Sequence, residues 1–353
     1  MNKKIIQLLF IIINVIILSA RSSAQTHTGL FDSDSIFQMT LSGNIRSLLN
    51  DRADDSKYHP LVISYTQQGG TISIKAQAKT RGHFRKQREN CDYPPLLLRF
   101  TKSDTLKASV FKEQQKLKLV MPCRGDDYVV HEWLVYKLYN LITPRSFKAR
   151  LTRVTLDDNR SSRNKSFYGI LLEEEDQMAK RNNEISVSWK IKPQSTQQED
   201  FLTMAMFEYM IGNTDWSVQY LQNIKLIAPD STTIPSTVAY DFDHAGIVDA
   251  PYAHPAEELR MTSIQERRYR GYCMHDLQKF DPVIALYNKL KPEIYGLYTN
   301  CTLLDARYVK STIQFLDDFY KTINDPSTFK KEFSYPCDVN GTGNVVIKGL
   351  KGD

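Results

Sequence analysis

The stretch Asn213–His244 decides the reading: NTDWSVQYLQNIKLI runs from Asn213 to Ile227, and VAYDFDH from Val238 to His244. Asp215 follows a break at Gly212-Asn213. Asn223 opens the alternating run Ile224-Lys225-Leu226-Ile227, which predicts a half-buried strand. Val238-Ala239-Tyr240 predicts a second strand leading into Asp241-Phe242-Asp243, where a period of two would send both carboxylates to one side. Hard divalent cations take a few carboxylate and amide oxygens and leave positions open for phosphate. Asp215, Asn223 and the Asp241/Asp243 pair answer that need if the two strands pair. Taken singly, the same residues are a turn aspartate and a solvated Asp-x-Asp, so the flanking order must decide.

Upstream, Thr196-Gln197-Gln198-Glu199 has the form of a capping box for a helix bearing Phe201, Met204, Phe207 and Met210 and stopping at Gly212. Before it the pattern is β-rich. Leu61–Tyr65 and Thr71–Ala78 flank Gln67-Gln68-Gly69-Gly70, a hairpin signature. Arg81–Lys86 is a basic turn; Leu96–Phe100 and Lys116–Val120 read as strands, the latter with Lys116 and Lys118 on one face. Asp126-Asp127 suit the positive end of a helix dipole, and Val130, Leu134, Leu138 and Leu141 carry that helix to Pro144. Glu132 lies off its apolar stripe. Arg150–Leu156 and Ser166–Leu172 are two more strands, followed by the charge run Glu173–Asp176. Residues 25–56 read as short polar segments with one helix near Asn44–Asn50. Downstream, Asp276–Leu290 and Asp305–Asn324 are helical, and Arg267-Arg268-Tyr269-Arg270 reads by default as a solvated basic cluster.

The first 24 residues have the build of a secretory leader: Lys3-Lys4, an apolar core from Ile5 to Leu18, then Ser22-Ser23-Ala24. A secreted or periplasmic protein that is not an integral membrane protein after cleavage is the expectation. Of 46 basic residues against 40 acidic, Lys3, Lys4 and Arg21 belong to the leader, so charge gives no case for nucleic acid. Five cysteines in no zinc spacing fit disulfides, with one left over. Cys91 with Cys123 is the pairing expected, both lying in the β-rich half.

The element order is lysine strand, glutamate helix, two strands, buried helix, Asp loop, Asn strand and Asp strand. That is the order of a protein-kinase-like fold. The expected class is therefore α/β (α+β) and bilobal. Its parts are a leader (1–24), an antiparallel β-rich N-lobe (25–192), a helical C-lobe (193–337) and a flexible tail (338–353). Arg81-Gly82 before basic residues, Tyr168-Gly169-Ile170-Leu171-Leu172-Glu173, Gly212-Asn213-Thr214-Asp215 and Tyr240-Asp241-Phe242-Asp243 together resemble the CotH-type atypical protein kinases. The glycine-rich loop of ordinary kinases is absent, and His83-Phe84 follow Arg81-Gly82 where the family has Asn-Ser.

The resemblance implies Mg²⁺ (or Mn²⁺) and ATP as cofactors, with transfer to a hydroxyl on a protein or small molecule. Asp215 would be the catalytic base, and Asn223, Asp241 and Asp243 the metal ligands. Lys118 would clamp phosphate with Glu132 or Glu173 as ion-pair partner, and Arg81 would contact the nucleotide. Two other readings stay open: a kinase-like binding or scaffold protein of the cell envelope without turnover, and a metal-dependent hydrolase using Asp241, Asp243 and His244.

Overall fold

Seven strands of the first half close on themselves. The structure, a computed structural model, describes residues 29–160 and 164–342; the expected leader and most of the expected tail lie outside the described residues. In chain order the elements are β1 (Phe37–Gly43), α1 (Ile45–Asn50), β2 (His59–Gln67), β3 (Gly70–Thr80), β4 (Leu96–Phe100), α2 (Asp104–Lys107), β5 (Lys116–Val120), α3 (Asp127–Ile142), β6 (Ala149–Asp158) and β7 (Lys165–Leu172). The strands pair in the order β1-β2-β3-β4-β5-β7-β6. Parallel pairing of β1 with β6, from Phe37 opposite Thr152 to Gly43 opposite Asp158, shuts the barrel.

This overturns the expected bilobal kinase-like fold with an antiparallel β-rich N-lobe. The sheet is mixed and closed, and the cause is β1, which lies in a stretch expected as short polar segments. Phe37, Met39 and Leu41 alternate inward there between Gln38, Thr40 and Ser42. A strand in that place satisfies the backbone groups that β2 and β6 would otherwise present as edges. The hairpin forms as expected: Gln68 and Gly69 both take positive φ (54° and 78°), which a tight two-residue connection requires.

The second half holds α4 (Glu175–Arg181), β8 (Ile185–Val187), α5 (Gln198–Ile211), β9 (Ile224–Ala228), β10 (Ser236–Ala239), α6 (Asp281–Lys289), α7 (Lys291–Thr299), α8 (Ala306–Asn324) and α9 (Pro326–Phe333). Strands β10, β9 and β8 make a small antiparallel sheet. The capping box does not form. Gln197 is the N-cap of α5, and the Thr196 hydroxyl donates instead to the Pro193 carbonyl (2.7 Å). Gly212 ends α5 in the left-handed conformation (φ 67°), as a C-terminal glycine does.

Two apolar cores result. One fills the barrel, with Ile63, Leu98, Leu117, Leu119, Val154 and Leu171 among its members. The other joins α3 to the helices and small sheet of the second half. Disulfides link Cys91 to Cys123, the expected pair, and Cys273 to Cys337, leaving Cys301 free. Among the described residues no helix is long and apolar enough to cross a membrane.

Candidate functional site

Strand β5 sets the geometry. Leu117 and Leu119 point into the barrel, so Lys118, between them, must point out of it. There the second half covers it, and its Nζ lies 2.8 Å from Asp241 Oδ1. A cavity of about 310 Å³ opens around this pair, lined also by Arg81, Arg85, Asp215, Asn223, Asp243 and His244. Of the residues singled out from sequence, Arg81, Lys118, Asp215, Asn223, Asp241 and Asp243 meet here.

The Asp-x-Asp gets there by a different route from the one expected. Strand β10 ends at Ala239, and Asp241 takes φ 65°. The carboxylates are therefore aimed by a left-handed turn rather than by strand alternation. Phe242 fixes that turn: fully buried, it packs on Tyr136 (ring centroids 4.8 Å apart) and Phe207 (5.4 Å). The Tyr136 hydroxyl accepts the Asp241 N–H (3.0 Å). Asn223 is left-handed too (φ 50°). Asn and Asp tolerate this conformation best, but it still costs free energy, and such residues gather at functional sites.

Asp215 is clamped. Its N–H donates to Asn213 Oδ1 (3.0 Å), and the Asn223 amide donates both to its backbone carbonyl (2.8 Å) and to Oδ2 (3.0 Å). Burial pushes the Asp215 carboxyl above the usual aspartate range, and the charges of Asp243 and Asp241 act the same way; His244 and the Asn223 hydrogen bond oppose them. Asp241 goes the other way. Burial pushes it up, but the Lys118 ammonium and its hydrogen bond outweigh that and hold it below the usual range.

Arg85 was not singled out from the basic turn, yet it lies at the floor of the site. Its guanidinium donates to the Met121 carbonyl and lies 3.4 Å from Asp243 Oδ2 and 3.7 Å from Glu132 Oε2. Tyr252 donates to the same Asp243 oxygen (3.2 Å). Glu132 thus enters through Arg85, and not as the direct partner of Lys118. Burial, reinforced by Asp243 and opposed by Arg85, pushes it up to about 8. Glu173 is a correction: it accepts from Arg181 (2.9 Å) and from the Lys148 N–H (2.8 Å), and it lines a different cavity from Lys118. The basic cluster is not a solvated face either. Arg267 donates to the Met210 carbonyl (3.1 Å), and Arg268 to the Tyr335 hydroxyl (2.8 Å). No sequence signal marked Tyr252, whereas Arg85 stood inside a turn already read as basic.

Asp241, Asp243 and Asn223 offer hard oxygens, and the Asn223 NH₂ group, turned to Asp215, leaves its amide oxygen available. Among the described residues only Cys273, His275 and Cys337 bring three His, Cys, Asp or Glu donor atoms within 4.8 Å of one another, and two of these are joined as a disulfide. The three aspartates of the cavity, Asp215, Asp241 and Asp243, do not form such a group.

No protein-family model matches the chain, and no curated protein matches it.

Proposed function

We propose that this cavity carries out metal-dependent phosphoryl transfer from a nucleotide, ATP in the first instance, to a hydroxyl group. One observation carries the reading. A half-buried aspartate of raised proton affinity, Asp215, shares a cavity with a lysine–aspartate pair and two further oxygen donors, brought together from β5, the Asp215–Asn223 segment and the turn at Asp241–Asp243. Such a reaction asks little of a protein beyond alignment, neutralisation of phosphate charge and a group to take the hydroxyl proton. Mg²⁺ or Mn²⁺, held by Asp241, Asp243 and Asn223, would supply part of that neutralisation. Lys118 and Arg81 face the phosphates, and Asp215, unprotonated, accepts the proton. The likeness to CotH-type kinases belongs to this proposal through Gly212–Asp215, which puts Asp215 on the cavity wall, and Tyr240–Asp243, which puts Asp241 and Asp243 there. It rests on the site and not on the fold. Export is part of the same proposal, and two disulfides accord with an oxidising compartment.

One observation favours the alternative, a binding protein without turnover. Asp241 is already paired with Lys118, and Asp243 with Arg85, so the acids are balanced without a metal. Calorimetry and turnover separate the two readings. The wild type is expected to bind ATP only with Mg²⁺ or Mn²⁺. Asp241→Asn should lose that binding. Asp215→Asn should keep it and lose turnover by about 10²–10⁴-fold. Metal-independent binding with no turnover by wild type would leave the binding role in place of the enzyme.

A further inference from the structure

Asp215 and His244 line a second, smaller cavity of about 150 Å³. Its other walls include Gly212 and Thr214 from the Asp215 loop, with His254, Ala256 and Ile264 opposite. The two cavities have Asp215 and His244 in common and differ in everything else. The larger carries Arg81, Arg85 and Lys118; the smaller is lined by no lysine or arginine. His244 is held in the partition edge-on to Phe84 (5.6 Å) and Tyr252 (5.8 Å). The rear wall is fixed by backbone: the Gly246 N–H donates to the Gly212 carbonyl (3.1 Å), and a Cβ on Gly246 would stand 2.2 Å from the Ile264 carbonyl oxygen.

In phosphoryl transfer the attacking and leaving oxygens approach phosphorus from opposite sides, and the base must touch the attacking one. A base on the boundary between a chamber lined by lysine and arginine and one lined by neither meets both demands. We infer that the smaller cavity is the acceptor pocket and that it takes a small uncharged alcohol, an inference that rests on the phosphoryl-transfer reading. The size limit comes from volume, since a cavity of about 150 Å³ holds a guest of benzene size. The charge limit comes from Asp215, which repels a carboxylate or phosphate on the acceptor; the lining holds no lysine or arginine, and Arg270, which interacts with Asp215, is half-buried and not part of it. In the step itself the acceptor oxygen bonds to the terminal phosphorus of the nucleotide. The bond from that phosphorus to the bridging oxygen breaks, the nucleoside diphosphate leaves, and the acceptor proton passes to Asp215.

Glycerol and glycerol 3-phosphate are the probes, with Mg²⁺ and ATP and the full chain. Glycerol is expected to be the better acceptor by about tenfold or more in kcat/KM. Ala256→Phe fills the pocket, and His254→Trp narrows its mouth from an exposed position that does not threaten folding. Each should lower kcat/KM for glycerol by about tenfold or more, while the nucleotide Kd measured by calorimetry stays at the wild-type value. The pocket assignment is overturned if a folded filled variant transfers like wild type, or if glycerol 3-phosphate serves as well as glycerol. A wild-type chain that binds no nucleotide overturns the functional reading itself, and the calorimetry reports that separately.

Discussion

The two sides of β5 are built from opposite materials. Inward, Leu117 and Leu119 join a barrel core of Ile63, Leu98, Val154 and Leu171, all at or near zero exposure. Outward, Lys118 joins Arg85, Glu132 and Asp243, four ionisable side chains that are almost as deeply buried. Apolar burial stabilises in proportion to area. Buried charge must be matched by partners merely to break even. One strand therefore carries both the part that holds the fold and the part held at a cost in stability. The difference teaches that β5 is a divider, with stability on one face and chemistry on the other.

If that division is real, neighbouring residues should fail in different ways. Leu119→Ala should lower unfolding free energy by about 2–5 kcal/mol, through lost burial and a cavity, and leave ligand affinity per folded molecule unchanged. Lys118→Met should cost only about 1–2 kcal/mol, because Asp241 is partly exposed and keeps Arg85 and Arg81 nearby, yet abolish nucleotide binding. Urea denaturation with calorimetry on the two variants tests this. Equal losses of stability in both would break the comparison.

A second variant asks whether the site side has rigidity of its own. Gly246→Ala puts a methyl against the Ile264 carbonyl, a backbone atom that cannot swing aside. A cost of about 1–3 kcal/mol is expected, together with weakened turnover, since the Asp215 loop is tied to the same segment. Wild-type stability would mean that this contact relaxes freely and fixes nothing.

The legible parts of the molecule were those with a period or a turn signature. The β2–β3 hairpin follows from Gln68-Gly69, and β5 and α3 from alternation and a helical stripe. Strand β1 was lost because Gln38, Thr40 and Ser42 sit between its apolar residues, and because its pairing with β6 lies more than a hundred residues away in sequence. Nothing local announces a barrel closure. The meeting of Asp215, Asn223, Asp241 and Asp243 was readable from residue type and order, but the manner was not. A left-handed aspartate at 241 depends on Phe242 finding Tyr136 and Phe207, a tertiary event. Arg85 and Tyr252 were hidden for the same reason: their roles come only from what folds over them.

The smallest expected effect concerns pH and Glu132. Its side chain is buried among Arg85, Asp243 and Asp241, and its proton affinity is raised to about 8 from an unfolded value of 4.5. For an acid shifted upward, the folded state binds the proton more tightly than the unfolded chain. Its contribution is then full below about 4.5, falls as pH rises from there to about 8, and is flat above. Glu132→Gln keeps the shape and a neutral group, so the variant should match wild type near pH 5 and gain on it as pH rises toward 9. The gain should be about 1 kcal/mol, less than an isolated shift of this kind implies, because Arg85 and Asp243 share the cost of ionisation. Thermal melts of both proteins across that range give the difference directly, and titration of groups not coupled to Glu132 cancels from it. Parallel curves would mean that Glu132 is ionised throughout beside Arg85. The site side would then be a fully charged network rather than one that keeps a carboxyl neutral.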